Sequence, residues 1–382
     1  MSTKERNLSF DVFRILLAFM VFTLHVNGAT TGGVFLAVNY APVKVLVIAF
    51  EALCFPAVNC YILLSAYFSF KNKKTIKQQT YSLVKLFICV LTYSVVWFLV
   101  VTLAFNKTFN AKDLLIRFFP LTSGAWWYMT NYFALMLISP FLNKIVENTD
   151  KKHVLVLIGA MLVVTSIMPF LVKGNDFFGV KMGYSLVWFI VLYLTGAFIS
   201  KYHFDSSDRK LIYLIGYGVC SLLLPITSII IGKVGFLNGF TFETYNSVIV
   251  FAQAIFLFLF FKNLNIKSQS TFIKKSISTV ALLSLSVYLF HCQVDVESVI
   301  WTKFNLAGNC NTLTFIPYYL LATLCVYAFS CVFEFIRIKL MNIGNFENKL
   351  CAFITDTLEK IFKFIISPFI KEDKKQEDDE ND

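Results

Sequence analysis

Long apolar runs recur along the whole chain, and their length is the feature that most limits how it can fold. A helix that crosses a lipid bilayer needs about 20 mostly apolar residues. Of the 382 residues only 15% are charged, whereas about 25% are charged in soluble domains. The sequence therefore predicts an all-α fold, a polytopic membrane helix bundle with about ten transmembrane helices. The ten windows are 10–28, 45–70, 81–105, 125–143, 153–172, 184–200, 211–232, 245–262, 280–300 and 316–337.

The basic residues between these runs indicate which side of the membrane each loop occupies. Alternate loops, together with the N-terminus and everything from Arg337 onward, hold 24 Lys and Arg residues, and the other loops hold 7. Loops rich in Lys and Arg stay in the cytoplasm. We therefore predict a multi-pass protein of the cell (inner, cytoplasmic) membrane with both termini cytoplasmic. The same clustering explains the net charge of +11 without a nucleic-acid partner.

The C-terminal part differs from the apolar body of the chain. From Phe346 to Ile365, apolar residues recur at helical spacing with lysines between them. This pattern predicts an interfacial amphipathic helix over 344–370, or equally a tail helix packed on the bundle. The charged stretch 371–382 has no periodicity and is predicted to be disordered. Residues 1–343, before the amphipathic helix, are predicted to form one transmembrane domain.

Motifs of soluble enzymes are absent from the sequence. We find no Walker loop, no G-x-S-x-G turn, no H-E-x-x-H pair and no Cys/His set with metal-ligand spacing, so no metal is predicted. The nine cysteines lie mostly inside apolar runs without C-x-x-C pairs. We interpret them as small residues of the core.

The first apolar run carries three ionisable residues, Asp11, Arg14 and His25. At about 100° per residue they fall within an arc of about 60°, so they form one stripe along the helix. Charged groups inside a span are costly unless they face the bundle or a cavity. Asp11 and Arg14 are either an ion pair that fixes the helix end at the interface or part of a functional site. For His25 we favour function, because an unpaired imidazole in hydrocarbon is costly.

The second window adds Glu51, about 10 Å below the predicted outer surface and roughly level with His25. A carboxylate that orients an imidazole raises its basicity and fixes its tautomer. We therefore hypothesise that Glu51 pairs with His25; a hydrogen bond from Glu51 to another helix is the alternative.

The ninth window places His291 in the middle of a predicted helix. Such a polar face is either the wall of a cavity or a hydrogen-bonded seam between helices. Three polar residues share its predicted face: Ser284, Tyr288 and Asp295.

Two further clusters each allow two interpretations. Trp127 and Tyr128 begin the fourth window, where aromatic rings are typical of a membrane border but would also suit the floor of a sugar site. Lys74 and Lys77 lie in a short basic loop that would attract phosphates, although the bias of cytoplasmic loops also explains them.

Taken together, these residues resemble the acyltransferase-3 family of integral-membrane O-acyltransferases. The first run has the family's D-x-x-R followed by a His eleven residues after the Arg. PAVNCYILLSAYF resembles P-x-F-F-x-x-S-G-Y-F, with Ser65 on the Ser and Ala66 in place of the Gly. GAWWYMTNYFALMLISPFLN resembles H-L-W-F-L…L-Y-L-x-x-P-x-L, with Ala125 where the family has His. ALLSLSVYLFHCQV resembles the late Y-L-x-H segment and puts His291 on its His.

The resemblance implies an enzyme that transfers an acyl group, acetyl in most cases, from cytoplasmic acyl-CoA. The acceptor would be a sugar hydroxyl of an envelope or exported polysaccharide or its lipid-linked precursor. Acetyl-CoA or another acyl-CoA would be the co-substrate, with no metal. The family's basic R-x-x-R is met by two lysines, which keep the charge but lose the bidentate fork. The site residues expected are His25 as acid/base with Arg14, Asp11 and Glu51; Trp127, Tyr128, Ser65, His291 and Tyr288 at the substrate; and Lys74 and Lys77 at the CoA phosphates.

The main alternative is a secondary transporter or glycan flippase that uses the same ionisable residues as a pathway. The sequence shows no inverted repeat to support it. The partners expected are membrane lipid, the glycan or lipid-linked acceptor and acyl-CoA. Assembly into a homo-oligomer is left open.

Overall fold

The computed structural model describes residues 7–172, 176–204, 207–234 and 242–379. Within those ranges every regular element is a helix and no β-strand occurs, which confirms the predicted all-α membrane bundle. The first nine α-helices are α1 (Leu8–Asn27), α2 (Val34–Ala37), α3 (Ala41–Cys54), α4 (Ala57–Lys71), α5 (Ile76–Ala104), α6 (Ala111–Arg117), α7 (Trp127–Asn148), α8 (Lys151–Leu162) and α9 (Met168–Leu171). The remaining ones are α10 (Leu186–Tyr202), α11 (Lys210–Val234), α12 (Val248–Asn263), α13 (Thr271–Leu283), α14 (Leu285–His291), α15 (Val294–Phe304), α16 (Phe315–Met341) and α17 (Phe346–Asp379).

Seven helical segments of the described ranges are long and apolar enough to cross a membrane. The shorter helices α10 and α12 are also apolar and coincide with the sixth and eighth predicted windows. Helix α7, of 22 residues, coincides with the fourth window but is not apolar enough to be among the seven. A total of ten crossings requires α7, α10 and α12 as well and stays a prediction. The seven segments are Leu8–Asn27, Ala41–Lys71, Ile76–Ala104, Lys151–Leu171, Lys210–Ile231, Thr271–His291 and Phe315–Met341.

Helix α1 lies at the centre of the bundle. It packs against α3, α4, α12, α13, α14 and α16. In its apolar window 61% of the residues are buried, compared with 17% for α11 and 33% for α16. The outer helices direct their large apolar side chains outward, as Leu222 and Leu324 do, which suits contact with lipid tails. A polar group on α1 is therefore enclosed by protein.

The second predicted window is one apolar run but two helices. Helix α3 ends at Cys54 and α4 begins at Ala57, with Phe55 and Pro56 in the turn between them. Proline lacks the N–H that a continuous helix would need at this point, so the backbone bonds are interrupted there. The break lets α3 and α4 both pack on α1.

The ninth predicted window, 280–300, is wrong in its bounds. The helical segment that is long enough to cross runs over Thr271–His291, and the chain turns before α15 begins. The Gln293 side chain caps α15 by accepting hydrogen bonds from the N–H groups of Asp295 and Val296. Asp295 therefore does not share a helical face with His291.

The C-terminal helix packs on α5 and is held there by a buried charge cluster. Arg337 of α16 donates to Glu334 at 2.8 Å and to Glu347 of α17 at 3.0 Å. Lys85 of α5 lies 3.2 Å from the same Glu347. The structure continues α17 to Asp379, whereas the disordered tail was predicted to begin at residue 371, and 380–382 lie outside the described residues. An interfacial position for this helix stays a prediction.

Candidate active site

The centre of the site is a pair of hydrogen-bonded histidines on α1 and α14. His25 Nδ1 lies 2.9 Å from His291 Nε2. His291 Nδ1 lies 2.5 Å from the Val287 carbonyl oxygen, which can only accept, so this nitrogen carries the hydrogen. In the neutral ring His291 Nε2 then accepts, and His25 Nδ1 is the donor. The arrangement leaves the lone pair of His25 on Nε2.

A cysteine lies against the same imidazole. Cys292 Sγ is 3.6 Å from His25 Nε2 and 3.8 Å from His25 Nδ1. The sequence pattern predicted Cys292 to be a core cysteine, although its position directly after His291 was a signal that it would share the site. Helix α14 ends at His291, and Cys292 follows as its C-cap.

Arg14 and Asp11 form an ion pair beneath the histidines. Arg14 Nη1 lies 3.0 Å from Asp11 Oδ1, and Ser278 of α13 donates to the other carboxylate oxygen at 2.7 Å. The Asp11 side chain is 1% exposed and that of Arg14 is 28% exposed. The guanidinium also lies over the Phe68 ring, 5.3 Å from its centroid. The buried carboxylate thus positions an arginine that keeps part of its surface accessible.

Two adjoining cavities contain the polar stripe predicted on α1. A cavity of about 340 Å³ is lined by Arg14, and one of about 80 Å³ is lined by His25. The two cavities share three lining residues, Tyr61, Tyr128 and Leu285. The Arg14 and His25 side chains therefore face neighbouring parts of one internal space, between α1 and the pair α13–α14.

Aromatic rings form most of the wall around His25. Trp127, Tyr128 and Tyr288 line its cavity, as the predicted substrate contacts would, and Ser65 lines the Arg14 cavity. Three further rings, missed by the sequence analysis, line the His25 cavity: Tyr61, Tyr184 and Tyr245.

Tyr245 reaches this wall through a close backbone approach. The Tyr245 N–H donates to the Met182 carbonyl at 3.1 Å, and the Tyr245 carbonyl accepts from Asn59 Nδ2 at 2.8 Å. Gly183 has φ of +94°, and a Cβ at this position would lie 2.6 Å from the Tyr245 Cβ. Only glycine satisfies both the backbone angle and the available space.

Glu51 does not contact His25. Its carboxylate accepts a hydrogen bond of 2.6 Å from Asn27 Nδ2. Asn27 follows His25 by two residues, which is about 200° around the helix, so Glu51 approaches the opposite side of α1. The hypothesis that Glu51 orients the imidazole of His25 is therefore wrong. The structure shows the alternative, a hydrogen bond between Glu51 and another helix.

The comparison with known protein families gives one match. A family model described as an acyltransferase domain, Acyl_transf_3, matches residues 7–335, which include both cavities. The chain belongs to the acyltransferase-3 family. No curated protein and no solved structure matches it. The protein is therefore a multi-pass membrane acyltransferase, and the transporter alternative has no support in this match.

The acyltransferase has its predicted CoA lysines away from these cavities. Lys77 lies 2.7 Å from Asp356 and 3.1 Å from Glu359, both on α17. Lys74 donates to Ser82 at 2.8 Å. Both lysines border a separate cavity of about 580 Å³ between α5 and α17. The structure does not bring them together with Arg14 or His25.

The same histidine–cysteine group has the composition of a metal site. The ligand atoms of His25, His291 and Cys292 lie within 4.8 Å of one another. Two imidazoles and a thiolate suit a borderline or soft ion such as Zn²⁺, with a fourth position open. The bond from His291 Nδ1 to a backbone carbonyl is also the kind that fixes a metal-binding tautomer. No metal was predicted from the sequence.

Proposed function

We propose that this acyltransferase moves an acyl group, acetyl in the simplest case, from acyl-CoA to a sugar hydroxyl. The acceptor is an envelope or exported polysaccharide or its lipid-linked precursor, in the cell membrane. The observation that carries the proposal is the adjoining pair of cavities that brings the guanidinium of Arg14 and the unprotonated Nε2 of His25 to one internal space. An acyl thioester and a hydroxyl both need such a space, shielded from bulk water.

The donor reaches this space along α13. A third cavity, of about 1340 Å³, lies at the N-terminal end of α1 and includes Lys267 and Lys275. Ser278 lines this cavity and donates to Asp11, the partner of Arg14. From Ser278 to Leu285, at the border of the His25 cavity, α13 and α14 rise about 10 Å. The CoA phosphates bind at the lysines, and the pantetheine arm extends past Arg14 towards His25.

This path revises the predicted role of Lys74 and Lys77. Lys77 already pairs with two carboxylates of α17, so its charge is largely compensated. Lys267 and Lys275 line the same cavity as Ser278. Ser278 donates to Asp11, which pairs with Arg14. With both termini cytoplasmic, the large cavity opens to the compartment that holds acyl-CoA.

The acceptor binds against the aromatic wall. Ligand sites are usually lined by aromatic and apolar side chains with a few polar groups that fix orientation. Trp127, Tyr128 and Tyr288 offer ring faces to a sugar, and their phenol and indole groups offer hydrogen bonds. His25 Nε2 removes the proton of the hydroxyl, a general-base contribution of about 10²–10⁴-fold. Arg14 stabilises the negative charge of the donor or of the reacting carbonyl oxygen.

The test uses membranes that contain the protein and labelled acetyl-CoA, with transfer of label to endogenous glycan as the readout. Wild-type membranes should label glycan, and His25→Ala should reduce the rate by at least about 100-fold. His153→Ala is the matched control, because this histidine is exposed and bonds only to Asp150 among the described residues. Equal labelling by wild type and His25→Ala would refute the catalytic role.

The arginine is tested by Arg14→Lys. This variant keeps the charge but loses the planar fork that pairs with Asp11. We expect activity to fall while the amount of protein in the membrane holds. Full activity would show that the fork is not required.

A further inference from the structure

Cys292, His25 and His291 form a row of hydrogen-bonding groups that ends on a fixed backbone carbonyl. Cys292 Sγ lies 3.6 Å from His25 Nε2, His25 Nδ1 lies 2.9 Å from His291 Nε2, and His291 Nδ1 donates to Val287 O. A nucleophile within reach of a base, with the base oriented by a third group, is the arrangement by which thiols and hydroxyls are activated. The thiol lies against the imidazole of His25, at similar distances from its two ring nitrogens.

The accessibility of Cys292 separates it from six of the other cysteines. Among the described residues, Cys54, Cys60, Cys89, Cys220, Cys310 and Cys351 are buried. Cys292 is half-buried, as is His25, while His291 behind them is buried. The thiol and the base are thus partly accessible, and the orienting group is enclosed.

We propose that Cys292 is the nucleophile of this acyltransferase and carries the acyl group as a thioester between donor and acceptor. The inference rests on the proposed function. In the first step the thiol gives its proton to His25 Nε2, and the thiolate attacks the carbonyl carbon of acyl-CoA. The bond from that carbon to the CoA sulfur breaks, the imidazolium protonates the departing CoA thiolate, and acyl-Cys292 and free CoA result.

The second step returns the enzyme to its starting state. His25 Nε2 takes the proton of the acceptor hydroxyl, whose oxygen attacks the carbonyl carbon of acyl-Cys292. The carbon–sulfur bond breaks and the Cys292 thiolate takes the proton back from His25. One thioester is exchanged for another in the first step, so no oxidant, reductant or further reactant is needed.

The size of the cavity favours two successive steps over a direct transfer. About 80 Å³ is available beside His25, whereas ligand sites commonly occupy about 300–1,000 Å³. The space directly beside the imidazole is thus small, and the adjoining cavity of about 340 Å³ at Arg14 is left for the rest of the donor. A covalent intermediate lets CoA leave before the sugar takes its place.

The test is the exchange of label between acetyl-CoA and free CoA, with no acceptor present. A thioester intermediate makes this exchange reversible and independent of the unidentified glycan. The purified wild-type protein should catalyse it, and Cys292→Ala and Cys292→Ser should reduce it to the rate measured without protein. Cys331→Ala is the matched control, because Cys331 is also half-buried but lies on α16 away from His25, and it should exchange at the wild-type rate.

A second measurement uses the unaltered chain, so that a misfolded variant cannot decide the result. After incubation with labelled acetyl-CoA, the denatured protein should carry label that neutral hydroxylamine removes, and peptide mass spectrometry should place it on Cys292. Label on His25 instead, or undiminished exchange by Cys292→Ala, would overturn the proposal.

The outcomes also separate this inference from the proposed function. If wild-type membranes transfer acyl groups to glycan but the protein neither exchanges CoA nor retains label, the transfer is direct and only the role of Cys292 falls. If wild-type membranes transfer no acyl group from any acyl-CoA, both fall.

Discussion

The hydrogen bond from His25 to His291 makes His291 a positioning residue, and its removal has a calculable effect. In His291→Ala the Nδ1–H of His25 loses its acceptor at 2.9 Å. His25 also has a backbone hydrogen bond to Val21, so the variant loses one of two bonds, at a cost of about 0.5–1.5 kcal/mol. If that cost falls on the conformation that presents Nε2 to the reactants, the rate decreases by about 2- to 13-fold. The KM for acyl-CoA should change little, because His291 is buried and does not line either cavity.

The assay is steady-state acyl transfer from acetyl-CoA in detergent or membranes, analysed as separate kcat and KM values. His291→Gln is the conservative variant, since its side-chain oxygen can accept from His25 and should restore part of kcat. His203→Ala, at the end of α10, controls for loss of a histidine as such. Unchanged kcat in His291→Ala, or a loss confined to KM, would refute the idea that His291 fixes the tautomer of His25.

Two further predictions concern stability and metal binding. Arg337→Met leaves Glu334 as a buried carboxylate without its cation and leaves Glu347 with only Lys85, so we expect a loss of about 3–5 kcal/mol and a lower thermal midpoint. Loss of the exposed Lys363 pair should cost at most about 1 kcal/mol. Equal thermal midpoints for the Arg337 and Lys363 variants would contradict this. Added Zn²⁺ should inhibit acyl transfer, and a chelator should reverse the inhibition. Cd²⁺ should give a thiolate charge-transfer band that is diminished in Cys292→Ser. A band of undiminished size would place the ion elsewhere.

Helical periodicity was sufficient to predict the part of the site that lies on one helix. Asp11 and Arg14 are three residues apart, and the predicted stripe required Arg14 and His25 to face the bundle interior together. The structure pairs the first two at 3.0 Å and places Arg14 and His25 on adjoining cavities. Such positions follow from the rise and rotation of an α-helix alone.

Contacts between helices could not be predicted in the same way. Depth in the membrane suggested that Glu51 and His25 were level, but depth gives no information about direction around the helix axis. Glu51 meets Asn27 on the other side of α1. Tyr184 and Tyr245 lie between helices and are joined to the site by hydrogen bonds such as Tyr245 N–H to Met182 O, which no local pattern indicates.

The position of Cys292 depends on a turn that hydropathy conceals. The residues after His291 are apolar enough to continue a spanning helix, yet the backbone of Cys292 (φ −96°, ψ 5°) leaves the helix at that residue. Contacts at the start of α15 stabilise the turn. Gln293 caps α15 and donates to Asp295 at 2.8 Å. Arg117 of α6 donates to the same carboxylate at 2.9 and 3.0 Å. An ion pair with a residue 178 positions away along the chain thus fixes the start of α15. Asp295, predicted to lie on the His291 face, therefore contributes to the site indirectly, by holding the turn that places a thiol beside the imidazole of His25.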